Sequence, residues 1–209
     1  MTKSGIGHDS FAKTRLGELP DSWDVKPLGE VFEFLDGQRI PIKKADRAER
    51  SGPFPYYGAS GVIDWIDDYI FDEPLVLIGE DGANIVERNS PLAFKVEGKC
   101  WVNNHAHVLR TRNEHVLDYF VDYLESISYL PYKSGTAQPK LNKKACESIP
   151  LPVPPTEEQH QIAKAFLQFD DSYRSIDDEI EKLRDFYQSF RDAAISGVIE
   201  AEKLTGGGA

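Results

Sequence analysis

The sequence predicts an α+β protein: a globular mixed α/β domain over residues 1–155, a long C-terminal coiled-coil helix over 156–199, and a flexible tail at 200–209. Three observations predict it. The first part alternates short β-rich runs with Gly- and Asp-rich breaks. Pro150, Pro152, Pro154 and Pro155 then hold a short stretch extended and free of helix. Beyond them apolar side chains recur at Ile162, Phe166, Phe169, Tyr173, Ile176, Ile180, Leu183, Tyr187, Phe190 and Ala194, at spacings that alternate four and three. A strict 4-3 alternation is a heptad seam and not the 3.6-residue stripe of a surface helix.

Along the first part, residues 23–37 (WDVKPLGEVFEFLDG) enter as a strand, then form a short amphipathic segment stopped by Gly37. Residues 61–71 and 74–86 carry β-rich runs broken by Asp and Gly. Residues 99–111 (KCWVNNHAHVLRT) read as one alternating strand. Trp101, Asn103, His105, His107 and Leu109 share one face, and Val102, Asn104, Ala106 and Val108 the other. Residues 115–129 are helical, with Leu117, Phe120, Val121 and Leu124 at i, i+3, i+4 and i+7. Thr156 and Gln159 match a T-x-x-Q capping box at the start of the long helix, with Glu157 and Glu158 in its first turn. Asp170, Asp171 and Ser172 suit a second N-cap and so a break there. Unbroken, the helix is roughly 60 Å long. Gly197 is placed to cap its end.

Composition bounds the function. Hydrophobic residues make up 40% of the 209, enough for a packed core. No apolar run reaches membrane-spanning length, and the N-terminus has no apolar signal region. Cys100 and Cys146, far apart in the chain, suit a reducing cytoplasm. The net charge of −11 opposes nucleic-acid binding at first sight. Its distribution softens that, because residues 156–209 carry −6 of it. Residues 38–50 hold five basic against two acidic side chains, and 132–146 hold four lysines and no acid.

Several constellations could carry chemistry. Glu80 and Asp81, between glycines in GEDGA, are paired carboxylates able to act as acid and base or to hold a cation. A polar turn accounts for them more simply. His105 and His107 could hold zinc from one strand face, but no further ligand at metal spacing supports it. Phosphate-loop, dinucleotide, nucleophile-elbow and HExxH motifs do not occur. Hence no catalytic and no metal residues are assigned. More telling is YKSGTAQPKLN (132–142). Its small residues Ser134, Gly135, Thr136 and Ala137 permit close approach, and Lys133, Lys140, Lys143 and Lys144 can meet phosphates. Gln138 and Asn142 can read an adenine edge.

In order, LGELPDSWDVKPLGEVFEF, YYGASGVIDWIDDYIFDEPLVLIGEDGANI, WVNNHAHVLR, GTAQPKLNKKACESIPLPVPPTEEQHQIA and ISGVI resemble the specificity subunit of type I restriction–modification systems, from about Leu16 to Ile199. The resemblance implies that residues 1–155 are a target recognition domain reading half of a bipartite sequence in double-stranded DNA, and that 156–199 are a spacer helix. It implies a non-catalytic subunit that docks a methyltransferase subunit bearing S-adenosylmethionine, often with a restriction subunit as well, in a prokaryotic cytoplasm. No cofactor is expected in this chain itself. The expected DNA-facing residues are Arg39, Lys43, Lys44, Arg47, Lys133, Ser134, Gly135, Gln138, Lys140 and Asn142. The family usually has two recognition domains and two helices in one chain, whereas this sequence has one of each, as a natural half-subunit or a shortened form. The seam then predicts a homodimer with antiparallel helices. Two alternatives stay open: a stand-alone hydrolase or metal enzyme using Glu80, Asp81, His105 and His107, and a coiled-coil adaptor.

Overall fold

The computed structural model describes residues 7–112, 115–136 and 138–197. The chain forms β1 (Phe11–Thr14), β2 (Gly17–Pro20), β3 (Asp24–Pro27), α1 (Leu28–Val31), β4 (Phe32–Phe34), a 3-10 turn (Asp36–Gln38) and α2 (Lys44–Ala48). Next come β5 (Ser51–Gly58), β6 (Gly61–Ile66), β7 (Phe71–Asp72), β8 (Leu75–Gly79), α3 (Asn84–Glu87), β9 (Ala93–Val96), β10 (Lys99–Val102) and β11 (Ala106–Thr111). The C-terminal elements are α4 (Leu117–Ser126), α5 (Lys143–Glu147), β12 (Pro150–Val153) and α6 (Thr156–Ile195). The chain divides into two compact units, residues 1–163 and 164–209, so the first two turns of α6 belong to the first unit. The tail at 200–209 and Ala137 lie outside the described residues.

Two four-stranded sheets build the first unit, in the orders β6-β5-β10-β7 and β4-β11-β8-β9, with β10 and β5 the parallel pair. Strand β8 is buried along its whole length, which explains its unbroken apolar run. Leu75 and Leu77 face the other sheet and pack with Val102, Ala106 and Val108. Val76 and Ile78 face a helical layer that includes Phe120, Leu124, Cys146 and Ala163. The amphipathic helix is therefore α4, with Phe120 and Leu124 fully buried and Leu117 and Val121 packed beside them.

The proline run is a strand. β12 pairs antiparallel with β3, Leu151 opposite Lys26 and Val153 opposite Asp24. The carbonyls of Pro150 and Pro152 point the other way and accept from Tyr123 and Tyr119 of α4 at 3.2 and 3.3 Å. A residue's N–H and C=O lie on the same side of a strand, so the two prolines sit where no ladder N–H is needed.

Two local readings are corrected. Residues 99–111 are two strands, not one. Asn103 Oδ1 accepts the N–H of His105 at 2.8 Å, an Asx turn that ends β10 and starts β11. His105 is consequently exposed and His107 buried, so they do not share a face. The T-x-x-Q box does not form either. Pro155 takes the N-cap position, its carbonyl accepting from Glu158 and Gln159, while the Gln159 side chain turns inward. The helix also runs unbroken through Asp170–Ser172, where Ser172 Oγ donates back to the Gln168 carbonyl at 2.8 Å. Gly197 follows α6 with φ +74.

In the second unit the seam is bare. Phe169, Tyr173, Ile176, Leu183 and Tyr187 are each more than half exposed, and Phe166, Ile180 and Phe190 about two-fifths. Ile162, in the first unit, packs against the core.

Candidate nucleic-acid interface

Glu80 is the joint between the two basic stretches. Arg39 Nη1 donates to its Oε2 at 2.8 Å, and Lys140 Nζ lies 3.2 Å from its Oε1. Burial alone would raise the Glu80 pKa. The Arg39 hydrogen bond, the charge of His107 and the contact with Lys140 together hold it below the usual carboxylate range.

Backbone contacts fasten the same parts. The Leu141 N–H donates to the Glu80 carbonyl at 2.8 Å, the Gly82 N–H to the Pro139 carbonyl at 3.2 Å, and the Glu80 N–H to the His105 carbonyl at 2.8 Å. The tip of the β5–β6 hairpin presses on the end of β8. A side chain on Gly79 would place its Cβ 2.7 Å from the Ala59 carbonyl oxygen. Residues 36–47, 56–64, 79–82, 103–107, 134–136 and 138–142 thus converge at one end of the first unit.

A buried network stiffens this end from beneath. His107 faces Asp36 Oδ2 through Nδ1 at 2.7 Å and the Leu141 carbonyl through Nε2 at 2.8 Å, so both ring nitrogens meet acceptors. Asp36 Oδ1 accepts the Val108 N–H at 3.0 Å. Burial raises the Asp36 pKa, but the hydrogen bond and charge of His107, the Val108 N–H and the nearby Arg39 outweigh it and bring it below the usual range.

The sequence-predicted residues divide into three groups. Lys43, Lys44, Gln138 and Lys140 are exposed, and Ser134 and Gly135 lie in the same exposed loop. Gly135 takes φ +76 with the backbone of Gln138 against it, so no side chain fits there. Lys133 Nζ lies 3.5 Å from the Gly135 carbonyl oxygen. Arg39 and Arg47 are turned inward. Arg39 also donates to the Ala106 carbonyl at 2.6 Å, and Arg47 donates to Asp64 and to the Ile42 carbonyl, both at 2.7 Å. They brace α2 and the segment before it, which carry Lys44 and Lys43. Asn142 caps α5, its Oδ1 accepting from the Ala145 N–H at 3.0 Å.

The four residues of the alternative chemical site lie close together, with His107 Nδ1 3.9 Å from Glu80 Oε2, but each already has a partner. Glu80 and His107 are held by the partners above, and the exposed His105 Nδ1 pairs with Asp81 at 2.8 Å. Among the described residues no group of three or more His, Cys, Asp or Glu could hold a metal ion. Cys100 and Cys146 are buried free thiols, and burial pushes the Cys100 thiol up to about 11. No helix among the described residues is long and apolar enough to cross a membrane.

An α+β unit followed by a long helix with a bare apolar seam defines the class of architecture. Residues 20–184 match the family described as Type I restriction modification DNA specificity domain, and the chain belongs to that family. A Haemophilus influenzae protein named as a type I restriction enzyme specificity subunit is 36% identical over 154 residues, 73% of this chain and 39% of that protein. The type I restriction enzyme MjaVIII specificity subunit of Methanocaldococcus jannaschii is 29% identical over 187 residues, 84% of this chain and 42% of that protein. The chain spans less than half the length of these curated relatives. Two solved structures share the fold. The S subunit of a type I system from M. genitalium has a TM-score of 0.60 at 21% identity, covering 81% of this chain and 44% of that one. The HsdS subunit from Thermoanaerobacter tengcongensis has a TM-score of 0.52 at 18% identity, covering 90% and 48%.

Proposed function

We propose that this chain is a non-catalytic DNA-reading subunit that recognises one half of a bipartite target and pairs with a second copy of itself through α6. The observation that carries the reading is the bare 4-3 seam. Eight of its apolar side chains, from Phe166 to Phe190, are at least about two-fifths exposed on one helix. A second such helix is the partner that buries a heptad seam. Antiparallel pairing would put a recognition unit at each end, which supplies the two readers that the family's longer chains carry. The exposed Lys43, Lys44 and Lys140 would give each unit a phosphate-facing end. In this reading the complex acts in a prokaryotic cytoplasm. A methyltransferase subunit bearing S-adenosylmethionine does the chemistry, and a restriction subunit joins in systems that cut.

A two-fold reader meets identical half-sites on opposite strands. Methylation mapping with the chain and its methyltransferase subunit in one cell should therefore return an interrupted palindrome. An asymmetric target for the self-paired form would sink the symmetric arrangement.

A further inference from the structure

We propose that a recess beside the basic loops reads an A·T base pair in the DNA major groove, with Asn104 and Ile63 as the reading side chains. This rests on the DNA-reading role above and adds where sequence is read. The recess holds about 460 Å³, and Ile42, Lys43, Tyr56, Ile63, Asn104 and His105 are among the residues that line it.

Its floor is fixed. Tyr56 is buried, and its hydroxyl accepts the Ile42 N–H at 3.0 Å. The Arg47 guanidinium lies 4.9 Å from the centre of the Tyr56 ring, and its bonds to Asp64 and the Ile42 carbonyl lock the stack. The wall is fixed too. Asn103 is buried, donates its N–H to the Tyr57 carbonyl at 3.0 Å, and closes the Asx turn onto His105. That turn pushes Asn104 into solvent, where its carboxamide has no hydrogen-bond partner among the described residues. Across the recess Ile63 is 52% exposed, on the outer strand of the β5–β6 hairpin.

The chemistry selects the occupant. A carboxamide offers a donor and an acceptor side by side, the complement of adenine N7 and N6–H. An exposed branched aliphatic complements the thymine methyl on the paired base. Lys43 at the rim is placed for a flanking phosphate, and a two-stranded ribbon fits the major groove. A rigid floor under two outward-facing groups is what discrimination between bases requires, because a soft site adapts to the wrong base.

The test is selection from duplex DNA randomised over about two turns, using the full chain with its methyltransferase subunit. The unaltered chain should recover an interrupted motif. Asn104→Ala and Ile63→Ala should each weaken the preference at one A·T pair per half-site by roughly tenfold, leaving the other positions intact. Lys43→Ala should lower recovery without changing the motif. Asn104 is exposed, so its variant keeps the test open if Ile63→Ala folds poorly. Recovery of the unaltered motif by both folded variants overturns the proposal, as does relaxation at a G·C pair. Loss of methyltransferase binding with the motif unchanged overturns it in favour of a protein-docking surface. If the unaltered chain recovers no motif, the DNA-reading role itself fails, which is a distinguishable result.

Discussion

Gln159 Oε1 accepts the backbone N–H of Val116 at 2.9 Å, and its Nε2 donates to the Pro154 carbonyl at 2.8 Å. The residue is 1% exposed. It ties the first turn of α6 to the segment entering α4, within the first unit. Gln159→Ala strands a half-buried N–H and a buried carbonyl, so it should destabilise the first unit by about 1–3 kcal/mol. Urea unfolding would show a lower midpoint at unchanged slope. An unchanged midpoint would mean that water replaces both bonds.

The seam gives a second prediction. Ile176→Asp with Leu183→Asp places charges among the exposed apolar side chains and should leave monomers. Light scattering at tens of micromolar measures it. A monomer for the unaltered chain would falsify the pairing.

The cation-bearing loops can be separated from the reading groups. Lys43→Ala with Lys44→Ala should weaken binding of all sequences alike and reduce the salt slope by roughly 0.9 per lost phosphate contact. Lys133→Ala with Lys140→Ala should do the same from the other loop. Titrations between low and moderate salt check it; a change confined to particular sequences would assign these lysines to base edges.

Helix length should set the gap between half-sites. Seven residues inserted between Ile176 and Ile180 keep the seam in register and add roughly 10 Å. Methylation mapping should then show the same half-sites around a longer gap. A changed half-site sequence would contradict a division of labour between reading unit and spacer.

Acid should loosen the site. Asp36 and Glu80 both have pKa values below the ordinary carboxylate range. Their contribution is complete above that range, near pH 4, and is lost as pH falls through the lowered folded values. The unfolding midpoint should drop in that window. Asp36→Asn should flatten part of the drop; an identical profile would remove Asp36 from the effect.

The long helix and the apolar run of β8 were legible because their signals are local: 4-3 spacing and an unbroken buried strand. What escaped depends on distant partners. T-x-x-Q looks like a cap until Val116 claims Gln159. Residues 38–50 look like a basic strip until Asp36, Glu80 and Asp64 engage Arg39 and Arg47. The turn at Asn103 does carry a sequence signal, Asn103-Asn104 between apolar runs, but the alternation of residues 99–111 continues across it and masks the break. Nothing local marks Glu80 as the meeting point of two loops.

The shared carboxylate of Glu80 bears on how such a subunit searches a genome. In the proposed DNA-reading role Glu80 already holds Arg39 and takes part of the charge of Lys140, so a chance encounter with DNA would gain less counterion release than the number of basic side chains suggests. In that role, dwell times on random sequence would shorten, and the subunit would sample more sites per unit time. Long residence would then depend on contacts beyond these two cations.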